Sequence, residues 1–393
     1  MKDIAVVTVA RSDYGIYFPL LQAIERHADL QLKVIVSGMH LSPEFGMTVE
    51  EVEKDFKDHE RVESLHYADG PEGVGQTIAS GVSGFTRLFS RYRPDILVVL
   101  GDRFDMLPAA LAALPFKIPL AHLHGGELTL GNIDDAIRHT ITKLAHIHFA
   151  GTETYARRIC QLGEEPWRVH VAGAVGLDAI RSAKLWSREE TGNKLGFDSS
   201  RPYLLSTFHP ETLNCEKTGY YINQLLAAFS DIESPVVFTC ANADPSGKLI
   251  NEAIARYAGH HENAWVVANA GRAGYYSLMA HAAAMVGNSS SGIIEAASFG
   301  LPVVNIGARQ NGRVKPRNVI DCGHTKDEIK TAVAQAAAED FKAGLAGMNN
   351  PYGDGKSAAR IVNVLSSVAL NDRLIIKKFH DIDVENHFKE PWT

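Results

Sequence analysis

The segment Gly287-Asn288-Ser289-Ser290-Ser291-Gly292-Ile293-Ile294-Glu295 gathers three hydroxyls and two glycines within a few residues. The apolar run Ala284-Met285-Val286 enters it, and a helix-compatible run, Ile293 to Phe299, leaves it. Where a strand hands over to a helix, unpaired N–H groups and the positive helix end attract an anion. Glu295 falls about one turn into that helix, where it can accept a bond from a sugar hydroxyl. Phosphate and ribose are the ligands such a junction suits. A capped helix after a buried strand is the purely structural alternative.

Carboxylates and cations recur at the ends of other apolar runs. Gly101-Asp102-Arg103 follows Val98-Val99-Leu100 and sets an acid beside a guanidinium, or simply caps the next helix with Asp102. His122-Leu123-His124-Gly125-Gly126-Glu127 closes the next run. Its two histidines share one side of a strand, and Glu127 follows two glycines where backbone can approach a ligand. Asp134-Asp135 opens a helix, where acids suit the macrodipole, and Arg138 lies at ion-pair spacing from Asp134. Asp102, Glu127 and Asp134 are thus candidates to converge from three loops. Arg11-Ser12-Asp13-Tyr14-Gly15, His209-Pro210-Glu211-Thr212 and Arg309-Gln310-Asn311-Gly312-Arg313 add groups that can bind phosphate. The dinucleotide fingerprint G-x-G-x-x-G is missing after the first strand.

These residues need a frame that delivers strand ends to one edge. Short apolar runs alternate with longer amphipathic ones. Strands are expected at 4–9, 32–36, 95–100, 120–124, 148–150 and 169–172, then at 203–207, 236–240, 265–268, 284–287 and 302–306. Helices are expected between them, including 16–27, 134–145, 153–162 and 292–299. The runs are mostly not alternating, as when both sheet faces are covered. This is α/β grammar, and ligands of such sheets bind at the carboxyl ends of the strands.

A chain of 393 residues exceeds one typical core. Two Rossmann-like doubly wound domains are expected, 1–175 and 176–370, with the tail 371–393 rejoining the first. Hydrophobic content of 45% and charged content of 22% are those of a globular chain. The net charge of −7 argues against nucleic-acid or anionic-membrane partners. No secretory cleavage pattern and no apolar stretch near about 18 residues is visible, so the expected location is cytoplasmic. The four cysteines are far apart, against a disulfide framework or a zinc cluster.

Together these segments resemble the hydrolysing UDP-N-acetylglucosamine 2-epimerases of sialic acid biosynthesis. The resemblance runs in order through RSDYG (11–15), SGMHLSPEFG (37–46), GDR (101–103), HLHGGE (122–127), DDAIRHTITKLAHIHF (134–149), HPET (209–212), GNSSSG (287–292) and RQNGR (309–313). It implies a GT-B-like pair of Rossmann-like domains with the active site in an interdomain cleft. It implies a UDP-sugar substrate, no cofactor and no metal, and a homodimer or homotetramer. The chemistry it implies is elimination of UDP across C1–C2 to a 2-acetamidoglucal, then hydration to N-acetylmannosamine. The catalytic positions it implies are Asp102, Glu127 and Asp134, with Glu127 serving elimination and Asp134 hydration. Asp102 either tunes a neighbour or acts as an acid–base group itself. The substrate-binding positions are Arg11, His209, Ser290, Ser291, Glu295 and Arg313, with Arg103 and Arg309 as additions. Some relatives carry a second glutamate where this chain has His124, and that branch includes enzymes acting on UDP-N,N′-diacetylbacillosamine. His124 therefore favours UDP-N-acetylglucosamine. The different-class alternative is a metal-dependent hydrolase using His122, His124 and Asp102, with His146 and His148 as further ligands.

Overall fold

The computed structural model describes residues 1–64, 70–130, 133–241 and 245–383. Residues 384–393 of the expected C-terminal segment lie outside the described residues. The chain divides into two compact units. The first comprises 1–127, 136–175 and the segment from Ser357; the second comprises 128–135 and 176–356.

The first unit is built on a seven-stranded parallel sheet. Its strands are β1 (Lys2–Thr8), β2 (Leu30–Ser37), β3 (His59–Val62), β4 (Ile96–Leu100), β5 (Leu120–Leu123), β6 (Ile147–Ala150) and β7 (Val169–Val171). Their order is β3-β2-β1-β4-β5-β6-β7. The chain reverses its direction of travel at β1, which makes the β1/β4 edge a topological switch point. Side chains alternate faces along a strand, so β1 feeds two cores. Ile4 and Val6 join one with the helix Arg11–Glu25, while Ala5 and Val7 join another with Phe85 and Phe89. Burial on both faces explains the unbroken apolar runs.

The second unit repeats the design with six parallel strands. They are β8 (Leu204–Thr207), β9 (Val236–Thr239), β10 (Ala264–Val267), β11 (Ala284–Gly287), β12 (Val303–Ile306) and β13 (Val319–Cys322). The order β10-β9-β8-β11-β12-β13 puts its switch point between β8 and β11. Leu204 and Val236 face one core; Leu205 and Val237 face the other.

The expected doubly wound α/β class is what the chain adopts. Two strands escaped sequence reading, β3 and β13. Both are edge strands, and His59-Glu60-Arg61-Val62 and Val319-Ile320-Asp321-Cys322 carry too few buried apolar positions to stand out. The first helix starts at Arg11 rather than Ile16, because Asp13 caps it by accepting the N–H groups of Val9 and Ala10, both at 3.0 Å.

The expected second domain, 176–370, loses its last helix. Ser357–Ser367 packs beside Arg11–Glu25 in the first unit, with Ile361 and Leu365 in that core. Lys2 Nζ fixes the end of this helix by donating to the carbonyls of Leu365, Ser366 and Val368. The tail then clamps on. Buried Arg168 donates to the carbonyls of Arg373, Leu374 and Ile376, and Trp167 is flanked by the guanidiniums of Arg168 and Arg373. Lys377 pairs with buried Glu164 and donates to the carbonyls of Lys143 and Ala145. Burial pushes the Glu164 carboxyl up, but His148, Lys143 and Lys377 together draw it down to about 2.

Candidate active site

In the first unit the candidate residues Asp102 and Glu127 follow the carboxyl ends of β4 and β5. Leu100 and Leu123 are register partners, so the loops that follow them leave the sheet side by side. His122 stitches the two loops together. Its Nε2 lies 2.8 Å from the Gly101 carbonyl and its Nδ1 3.2 Å from the Thr142 hydroxyl. Burial pushes this imidazole down to about 3, so it is neutral and structural at neutral pH. Gly125 has no room for a side chain: a Cβ there would meet His122 Nδ1 and Thr142 Oγ1, each at 2.9 Å. Gly126, at φ +74°, lies against the Tyr155 carbonyl. Two glycines thus let the strand end fold back and present Glu127, which is 2% exposed.

Glu127 Oε1 lies 2.7 Å from His124 Nδ1. Arg138, buried on the helix Ile133–Leu144, donates Nη1 to the His124 carbonyl at 2.8 Å and pairs through Nη2 with Asp102. Asp102 and Glu127 are therefore tied into one network by Arg138 and His124. Asp134 stands one turn before Arg138 on the same helix and groups with the segment 128–135.

A second buried layer supports the loop after β1. Burial raises the Asp13 carboxyl to about 6, against the opposing pull of Arg103 and of the Val9 and Ala10 N–H groups. Arg103 grips Asp105 with two bonds of 3.0 and 2.9 Å and touches Met39 Sδ at 3.0 Å. His40 bridges Thr8 and Thr48, and burial lowers it to about 4. Arg11 is exposed at the first turn of its helix, 3.5 Å from Glu51.

In the second unit the serine turn follows β11. Gly287, at φ +151°, lies against the Thr207 carbonyl of β8, where a Cβ would collide. Asn288 clamps the two switch-point loops: its Oδ1 accepts the His209 N–H at 2.7 Å and its Nδ2 donates to the His209 carbonyl at 2.8 Å. The Asn288 carbonyl in turn receives Arg309 Nη1 at 3.1 Å and Gln310 Nε2 at 2.8 Å. Glu211 holds the same third loop, its Oε1 accepting the Ala308 N–H at 2.8 Å and facing His324 Nε2 at 3.0 Å. His324 stacks on Tyr221 with ring centroids 3.6 Å apart.

Ser289 caps the following helix, which spans only Ser290–Ile294 before tightening into the 3₁₀ turn Ala296–Phe299. The helix expected over 292–299 thus begins two residues earlier and is divided at Glu295. Its dipole is short, and the turn's hydroxyls carry more of any anion site than expected. Burial raises the Glu295 carboxyl, opposed by hydrogen bonds from Ser291 and Tyr276. Burial lowers His209 to about 4, helped by Arg309, so it is neutral at neutral pH.

The chain matches the family model described as UDP-N-acetylglucosamine 2-epimerase over residues 22–366. It is 38% identical to a Campylobacter jejuni protein named GDP/UDP-N,N′-diacetylbacillosamine 2-epimerase (hydrolyzing), covering 87% of this chain and 89% of that one. It is 34% identical to the UDP-N,N′-diacetylbacillosamine 2-epimerase (hydrolyzing) of Legionella pneumophila, covering 96% and 99%. The chain belongs to the hydrolysing UDP-sugar 2-epimerase family. Its fold matches the crystal structure of the Neisseria meningitidis UDP-GlcNAc 2-epimerase bound to UDP-GlcNAc, with a TM-score of 0.78 at 18% identity over 92% of this chain and 99% of that one.

For this epimerase family member, the expected site residues divide between the units. Asp102, Glu127, Arg11 and Arg103 lie in the first; Asp134, His209, Ser290, Ser291, Glu295, Arg309 and Arg313 lie in the second. The histidines of the metal alternative are each engaged elsewhere: His146 with the Leu120 N–H, His148 with Glu164, His122 with Gly101 and His124 with Glu127. Among the described residues no His, Cys, Asp and Glu side chains group to hold a metal ion, and no helix is long and apolar enough to cross a membrane. Sequence reading missed four supports. Arg138 was paired with Asp134 alone, and Asn288 and Glu211 were read only as part of their motifs. Tyr275 belongs to no motif in the sequence, yet its hydroxyl reaches Ser289, Ser291 and Thr207.

Proposed function

We propose that the protein hydrolyses a UDP-linked 2-acetamido-2-deoxy sugar with inversion at C2, releasing UDP and the free 2-epimer. The observation that carries the reading is the network Asp102–Arg138–His124–Glu127, two carboxylates tied together at adjacent strand ends. In this reading Glu127 removes the C2 proton while the C1–O bond breaks and the electron pair of that bond leaves with UDP. The product is a 2-acetamidoglucal. Water then adds across C1–C2, its hydroxyl to C1 and a proton to C2 on the opposite face, with Asp134 serving this step. The C2 proton is weakly acidic, so a positioned carboxylate is needed, and leaving-group charge is stabilised by fixed cations and donors. Ser290, Ser291, Glu295, His209, Arg309 and Arg313 bind the UDP portion, with Arg11 and Arg103 as further phosphate contacts.

Two sugars fit. UDP-N,N′-diacetylbacillosamine is supported by the names of the 38% and 34% identical relatives. UDP-N-acetylglucosamine is supported by the family description and by the resemblance, in which some relatives carry a second glutamate where this chain has His124. The products are the corresponding manno-configured sugars, precursors for sialic acid-type sugars. The test is proton NMR in deuterated water with each nucleotide sugar. Free UDP with a C2-deuterated 2-epimer is expected, and the faster substrate names the sugar. An intact UDP-linked epimer, or no turnover of either, defeats the reading.

A further inference from the structure

His124 is the one non-glycine residue of the Asp102–Glu127 network held in the left-handed backbone region, at φ +61°. That conformation is strained for an L-residue with a side chain. It persists here because three bonds fix the residue. Its N–H donates to the Phe149 carbonyl at 3.0 Å, its carbonyl receives Arg138 Nη1, and its ring meets Glu127. The turn would accept glycine or asparagine with less strain, so the imidazole itself has a use.

A neutral imidazole carries one proton. The 2.7 Å approach of Nδ1 to a carboxylate oxygen assigns that proton to Nδ1, which donates to Glu127 Oε1. Nε2 then carries a lone pair. It is buried and has no hydrogen-bond partner among the described residues. A buried polar atom left in that state is costly, and a bound ligand's donor relieves it.

We propose that His124 is the positioning residue of this site: Nδ1–H fixes the orientation of the Glu127 carboxylate, and Nε2 accepts an N–H or O–H from the bound sugar. The proposal rests on the epimerase reading and deepens it. One ring thereby registers the base and the substrate against each other. A carboxylate that rotates away from the C2 proton loses rate without losing UDP binding.

Two variants that suit a left-handed backbone test this. His124→Gly removes both ring functions; its kcat is expected to fall about 100-fold and its KM to rise. His124→Asn returns an amide N–H near the Nδ1 position but nothing at Nε2. It is expected to recover most of kcat while KM stays raised. UDP inhibition is expected to be unchanged in both. Wild-type kcat in the glycine variant, or an asparagine variant no faster than glycine, overturns the orienting role. Full recovery of KM in the asparagine variant overturns the Nε2 role. Nitrogen NMR of histidine-labelled protein gives a readout independent of turnover. A proton on Nδ1 whose signal shifts in Glu127→Gln is expected, and an Nε2–H tautomer contradicts the assignment. Absence of wild-type turnover would remove the epimerase reading, and the NMR result would still judge His124.

Discussion

The two units present functional groups on equivalent strand ends but hold them by different means. In the first, polar side chains hold one another: Arg138 against Asp102, His124 against Glu127, Arg103 against Asp105. In the second, side chains hold backbone: Asn288 clamps His209, the Asn288 carbonyl gathers Arg309 and Gln310, and Glu211 accepts the Ala308 N–H. On the proposed function the difference follows from the tasks. A proton-transferring carboxylate needs its charge and direction set, which only other charges and donors in a low dielectric can do. On the same proposal a diphosphate site needs loops at fixed spacing, which bonds to backbone supply. The comparison makes distinct demands on mutants of each unit.

The largest expected effect is Glu127→Gln. It keeps volume and UDP inhibition but loses about 10²- to 10⁴-fold in kcat; wild-type rates would remove Glu127 from proton transfer. Next is Arg138→Met, which strands Asp102 and the His124 carbonyl. It is expected to cost about 3 kcal/mol of stability in urea unfolding, along with a large loss of kcat. A stable variant would mean that the first unit's charges do not support one another. Asn288→Ala should raise KM and the UDP inhibition constant about 10-fold, the effect of roughly 1.4 kcal/mol, and leave kcat near wild type. A fall in kcat with unchanged KM would erase the distinction between the units.

Asp13 gives a pH signature confined to the first unit. Its folded pKa of about 6 stands above the unfolded value near 3.8, so the folded state binds more protons between those values. Stability from this group is therefore present at low pH and is lost as pH rises through about 6, by on the order of 2–3 kcal/mol. Chemical denaturation of wild type against Asp13→Asn, at pH 4 and at pH 7, should show the difference narrowing or changing sign in that direction. A pH-independent difference would contradict it. The smallest effect is Arg11→Ala. The exposed pair with Glu51 predicts a stability change within about 0.5 kcal/mol. A severalfold rise in KM is expected from the assigned phosphate contact, and an unchanged KM would exclude it.

The α/β class was legible because strands buried on both faces write themselves as apolar runs. Edge strands β3 and β13, half covered, do not. Of the site, residue types at strand ends were legible; their partners were not. Nothing in the spacing of Asp102 and Arg138 announces their pairing, since they stand 36 positions apart with the strand β5 between them. Asp134, at helical spacing, was the partner that local geometry suggested. His124 was read as one of two equivalent histidines on a strand. The structure separates them: His122 remains in β5, and His124 lies past its end in a left-handed turn. The place of 357–370 was equally hidden, because a helix of ordinary amphipathic pattern does not say which sheet it covers.

That helix has a consequence for biosynthesis. The β-strands of the first unit emerge from the ribosome early, but Lys2 and Arg168 meet their carbonyl partners only after residues near 376 have been made. The second unit, encoded later, has all of its segments by residue 356. The nascent first unit must therefore wait, with part of one sheet face uncovered, while the second is translated and folds. A folding defect that lengthens this wait would expose the surface around Ile4, Val6 and Ile24 to chaperones and proteases, even when the substitution lies far away in the second unit.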